Sequence, residues 1–257
     1  MSFNDNNSND YWNYNNQATN SQFGDEAAYN PNPFVGATLN EASENKLLTK
    51  VFTWMGIGLG ISAACALGGY QFLGESMYGL FIPLAIIELI LVFVLTLGLK
   101  KMSAAVATIC FIAYSAINGL TLSSIFFVYE LGSIYSTFFI AAAVFGIAAF
   151  YGKVTKKSLA SWGTALMVGL IGIIIASIVN IFIGNSMLDF GISVIGIIIF
   201  IGLTAYDVNR IRDMWVEQGA EDSATVRKIA IWGALQIYLD FINIFLKLLR
   251  LFDKRRN

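Results

Sequence analysis

From residue 51 onward the chain alternates long apolar runs with short polar breaks. A helix needs about 20 mostly apolar residues to cross a bilayer. Runs of that length fall at 51–72, 79–99, 103–128, 133–152, 163–184, 188–209 and 231–252. The pattern predicts seven transmembrane helices in one all-α bundle, with short loops that make sequential helices neighbours. Backbone groups in hydrocarbon must be paired inside the protein, and nothing in the runs supports a sheet. Gly56, Gly58, Gly60, Gly169 and Gly172 fall inside these spans. The stretch "GIGLG" permits close helix contact, with ordinary packing glycines as the equal alternative.

Residues 1–45 read differently. "MSFNDNNSNDYWNYNNQATNSQ" is dominated by Asn, Ser and Asp. Such a segment buries too little apolar surface to offset its ordering entropy, so a disordered tail is expected at 1–45, before a transmembrane domain at 46–257. It lacks the basic and apolar blocks of a signal peptide. "TLNEASENKLLTK" is read as the start of a short interfacial helix, with Thr38 or Asn40 as N-cap.

Composition strengthens the membrane reading. Hydrophobic residues make up 56% of the 257 positions and charged residues 13%, and mean hydropathy is +0.65. Soluble domains average about 25% charged residues. A net charge of −1 gives no basic field for nucleic acid. The chain has no histidine, which excludes a His-ligated zinc, a His general base and the usual pH sensor. Cys65 and Cys110 lie in apolar runs and read as free thiols. P-loop, GxSxG, HExxH and CxxC motifs are absent, so no enzyme activity and no cofactor are expected.

Charge in the loops predicts orientation. Lys46 and Lys50 precede the first run; Lys100 and Lys101 follow the second; Lys153, Lys156 and Lys157 follow the fourth; Arg210, Arg212, Arg227 and Lys228 separate the last two. The intervening loops have no Lys or Arg, so the N-terminus is expected in the cytoplasm. Lys254, Arg255 and Arg256 break the alternation if the seventh run crosses normally. Either it does not, or it is shielded inside the bundle.

That last run, "GALQIYLDFINIFLKLLRLF", holds the candidate chemistry. Gln236, Asp240, Asn243, Lys247 and Arg250 follow one another at steps of four and three. At about 100° per residue they share an arc of roughly 80°, a narrow polar seam on an otherwise apolar helix. The remaining face, Tyr238 included, reads as apolar. Asp240 falls near mid-membrane, where a charge costs about 3 kcal/mol or more and usually marks an ion or proton pathway. A structural hydrogen bond by a protonated Asp is the alternative.

Asp207 closes the sixth run, one turn before Arg210. It is either an interfacial partner of Arg210 or a companion to Asp240, although the run boundaries place it nearer the cytoplasm. If the two carboxyls meet, they share a proton near neutral pH. Deprotonated, they offer hard oxygen ligands for weak binding of Ca²⁺. Glu88 is a third intramembrane acid, in packing or in the pathway. Asn118 and Asn180 read as interhelical hydrogen-bonding groups.

Three stretches, "INGLTLSSIF" at 117–126, "FIGLTAYDVNRIRDM" at 200–214 and "ALQIYLDFINIFLKLLRLF" at 234–252, resemble the Bax inhibitor-1 family, also called the transmembrane Bax inhibitor motif family, in its bacterial branch. The likeness covers about residues 46–252. It implies a seven-helix bundle with the last helix central, and a pH-sensitive calcium leak across the bacterial cytoplasmic membrane. It further implies that Asp207 and Asp240 form a di-aspartyl pH sensor. A basic residue at the end of the second helix serves the family's closed state. Lys100 and Lys101 are the nearest candidates here, and Leu99 occupies the aligned position. Other bacterial relatives restrain a membrane-anchored AAA protease, so a regulatory protein is the second expectation, with the Asn-rich tail as its contact. A proton-coupled transporter is third, without a recognisable substrate pocket. An intramembrane aspartyl protease lacks its accompanying motifs.

Overall fold

The computed structural model describes residues 33–98, 101–155, 157–218 and 223–252. Among them there are only helices: α1 Pro33–Leu73, a 3-10 turn Gly74–Ser76, α2 Met77–Gly98, α3 Ala104–Leu122, a short α4 Ile125–Val128, α5 Leu131–Val154, α6 Ala160–Ile183, α7 Ser186–Gln218 and α8 Ser223–Leu251. Counting α3 and α4 as one crossing, seven spans are long and apolar enough to cross a membrane. The chain divides before Glu44. Of the first unit only the helical residues 33–43 are described; Thr38 and Asn40 fall inside α1 and not at its start. The remainder of the expected tail, and Lys254, Arg255 and Arg256, lie outside the described residues.

Within the unit that starts at Glu44, burial runs opposite to that in a soluble protein. The most apolar spans, α2 and α6, are each 6% buried; the α8 span, among the least apolar, is 78% buried. Hydrocarbon solvates Leu and Ile as well as a protein core does, so the apolar helices can face lipid. Polar groups must find partners inside. The helix with the seam is accordingly packed by α3, α5 and α7.

Small residues set the closest approaches. On α1, Gly58, Ser62 and Gly69 face Phe111, Ser115 and Gly119 of α3 and Ser123 just beyond its end. A methyl group on Gly119 would meet the Ser62 carbonyl oxygen at 2.4 Å, so only glycine fits there. Within "GIGLG" it is Gly58 that makes the contact; Gly56 and Gly60 border open space. A methyl on Gly152 of α5 would meet the Ala205 carbonyl oxygen of α7, also at 2.4 Å.

The third run is broken rather than continuous. Ser123 Oγ donates to the Leu120 carbonyl at 2.6 Å and Ser124 Oγ to that of Thr121 at 2.8 Å. Hydroxyls that bond back into the preceding turn bend a helix, which accounts for the break between α3 and α4.

Candidate functional site: two faces of the last helix

α7 and α8 run antiparallel along the seam. Arg250 Nη1 meets Asp189 Oδ1 at 3.1 Å, the Lys247 stem lies across Gly196, Asp240 faces Asp207, and Gly233 faces Ile211. In these pairs one position falls as the other rises, as antiparallel helices require. Asp207 and Asp240 therefore sit side by side, each 4% exposed. The hydropathy boundary had ended the sixth helix at residue 209. The helix continues through "IRDMWVEQ" to Gln218, so Asp207 lies inside α7 and not at its end.

The two carboxyls face each other between α7 and α8, and the hydroxyl of Thr204, one turn before Asp207, donates to the Phe200 carbonyl at 2.8 Å. An ionised carboxylate only accepts, so the two can hydrogen-bond to each other only with a proton held between them. Among the described residues no N–H or hydroxyl donates to Asp240 Oδ2. Arg210 does not close an ion pair with Asp207; its guanidinium lies 5.0 Å from the Trp232 ring centroid. The pair thus sits in a buried helix interface, and among the described residues Oδ2 of Asp240 lacks a donor. That arrangement can bind and release a proton, and its freed oxygens suit a hard cation.

Other seam residues are less drawn in. Asn243 donates back to the Leu239 carbonyl at 2.8 Å, and Gln236 and Lys247 are half-buried. Arg250 is at the exposed end, beside an open cavity of about 420 Å³ lined by Asn180, Asn185, Asp189 and Ser193. Lys101 is exposed in the turn after α2, and Lys100 lies outside the described residues.

The opposite face of α8 holds a cluster that periodicity had passed over. Periodicity groups Tyr238 with the apolar surface, yet it is fully buried and its hydroxyl donates to Asn118 Oδ1 of α3 at 2.7 Å. The same hydroxyl is 2.6 Å from Ser62 Oγ of α1, and Ser62 Oγ also reaches the Ser115 and Gly58 carbonyls, at 2.7 and 2.9 Å. Asn118 Nδ2 donates to Glu88 Oε2 of α2 at 3.3 Å, and Thr121 Oγ1 donates to Glu88 Oε1. Glu88 therefore meets α3, not the aspartate pair. Asn118 bridges helices as its sequence context implied. Asn180 does not; its Oδ1 accepts from the Asn185 backbone at the end of α6.

Two polar residues after Asp207 fasten α7. Asn209, 1% exposed, accepts from the Leu159 backbone at 3.1 Å at the start of α6. Arg212 Nη1 donates to the Thr155 carbonyl at 2.8 Å at the end of α5, where a cation also meets the negative helix end. Arg212 had read as an orientation signal; it also has this structural task. Cys65 and Cys110 are free and half-buried.

The family model for "Inhibitor of apoptosis-promoting Bax1" matches residues 44–257. The chain is 43% identical over 216 residues to inner membrane protein YbhL of Escherichia coli K12, covering 81% of this chain and 92% of that relative. It is 44% identical over 222 residues to a protein of Borreliella burgdorferi, covering 83% and 94%. A membrane protein of Streptococcus pyogenes serotype M1 is 36% identical over 231 residues, covering 87% and 99%. Seven spanning helices, the buried motif residues and these matches place the chain in the Bax inhibitor-1 family of multi-pass membrane proteins.

Proposed function

We propose that the protein is a pH-sensitive calcium leak pathway of a bacterial cytoplasmic membrane, with its N-terminus in the cytoplasm and the Asp207–Asp240 pair as the proton-linked element. The observation that carries this reading is the facing pair of buried aspartates inside the helix interface, one of whose oxygens has no donor among the described residues. With one proton shared, the pair ties α7 to α8. When that proton leaves, two adjacent carboxylates repel, by about 4 kcal/mol at 4 Å separation for an effective dielectric near 20. The interface then either loosens or takes up a cation. Ca²⁺ and protons compete for the same oxygens, so cation occupancy rises as pH rises through the titration of the pair. With so few ligands the site binds weakly, as a conducting site must for its ion to leave again. The loop charges carry the orientation.

The test is Ca²⁺ entry into liposomes holding purified protein, from about pH 6 to about pH 8, beside the Asp207→Asn/Asp240→Asn variant. The account requires a flux that depends on pH in the native protein and is lost or pH-insensitive in the variant. Flux equal to that of empty liposomes at every pH removes the leak and transfers the case to a regulator of a membrane-anchored AAA protease. That role is tested by whether deleting residues 2–40 changes the partner's turnover.

A further inference from the structure

Tyr238 and Asp240 are two positions apart on α8, about 200° around the helix. Tyr238 is pinned to α1 and α3, while Asp240 faces Asp207 on α7. Rotating α8 to part the aspartates drags the tyrosine hydroxyl out of its place between Ser62 and Asn118. Proton bookkeeping makes that place specific. Tyr238 has one proton, directed at Asn118 Oδ1, so its oxygen is the acceptor toward Ser62, whose single proton is shared between that oxygen and the Ser115 and Gly58 carbonyls. The ring is held edge-on by Phe111 and Tyr114, with centroids 6.0 and 5.8 Å away. Asn118 then passes the link to Glu88 through its amide.

We infer that Tyr238 is a positioning residue: its hydroxyl, held between Ser62 and Asn118, fixes the rotation of α8 that presents Asp240 to Asp207, and Asn118 ties this setting to Glu88 on α2. The di-aspartyl reading enters only in taking Asp240 as the group positioned. The charged and titratable groups around the two faces are few. α7 brings Asp207 and Arg210, α2 brings Glu88, α3 brings Tyr114, and α1 brings Cys65. α5 offers Thr137, Ala141 and Phe145 from its buried side, while its Glu130, Tyr135, Tyr151 and Lys153 are exposed.

A spectroscopic titration separates positioning from mere packing. The C=O band of protonated carboxyl groups is followed by infrared difference spectroscopy against pH in the full-length protein, the Asp240 component being assigned by its loss in Asp240→Asn. Tyr238→Phe keeps the ring contacts and removes only the hydroxyl. The expected result is that its Asp240 band titrates about one pH unit from the native position, a tenfold change in proton affinity. Asn118→Leu is expected to shift the band likewise, and the double variant no further than either single one. A band at the native pH in folded Tyr238→Phe overturns the inference. Should that variant not fold, Ser62→Ala removes the other side of the same link and is read in the same way. A shifted band in a protein without Ca²⁺ flux keeps the inference and discards the leak; a native band in a leaking protein does the reverse.

Discussion

The two faces of α8 use buried polarity in opposite ways. Around Tyr238 every buried polar side chain from Ser62 through Asn118 to Glu88 has a hydrogen-bond partner. Around Asp240 that is not so: two acids face each other, and Oδ2 has no donor among the described residues. A satisfied network in a low-dielectric interior holds a structure in place, whereas an unpaired buried group carries a cost that a different state can relieve. The difference teaches where chemistry and where framework reside. α8 is fastened on one side and poised on the other.

The largest effects come from the glycines that bring each face together. Gly119→Leu forces a side chain into the Ser62 backbone and Gly152→Leu into that of Ala205. Neither backbone can yield as a side-chain tip would, so each change should cost about 3 kcal/mol or more and lower the yield of monodisperse protein. Thermal unfolding in detergent measures this. If both variants unfold like the native protein, the close approaches claimed here are wrong. Next comes Tyr238→Phe, which leaves Asn118 Oδ1 without its donor and should lower stability by about 1 kcal/mol. Asp240→Asn keeps the shape of the pair and should change stability by less, about 0.5 kcal/mol, while removing the shared proton. That ranking, a larger stability loss on the satisfied face than on the poised one, is what the comparison forecasts. The smallest effect is Arg250→Gln. Its ion pair with Asp189 is partly exposed, at 43% and 31%, so the loss should be under about 0.5 kcal/mol and shrink further with salt.

Much of this was legible in the sequence because lipid imposes simple rules. Run length gave the seven spans, and the three-four spacing located the face of α8 that meets α7. The limits have equally physical causes. Hydropathy ends where polar residues begin, but a helix need not, so α7 outran its apolar run to Gln218 and carried Asp207 inward. Tyr238 was missed because an aromatic ring counts as apolar in any periodicity argument, while its hydroxyl decides its role here. "DVNRIR" announced an acid and two cations; that Asn209 and Arg212 serve the ends of neighbouring helices depended on the fold. The tail at residues 1–32, and any latch at Lys100, lie outside the described residues.

The most direct measurement sets the two faces side by side: Ca²⁺ flux in liposomes against pH for the native protein, Asp240→Asn and Tyr238→Phe. The account predicts that Asp240→Asn flattens the pH profile, while Tyr238→Phe keeps a pH-dependent profile and displaces it along the pH axis. A native profile in Asp240→Asn would contradict the claim that the aspartate pair is the element through which protons control this protein.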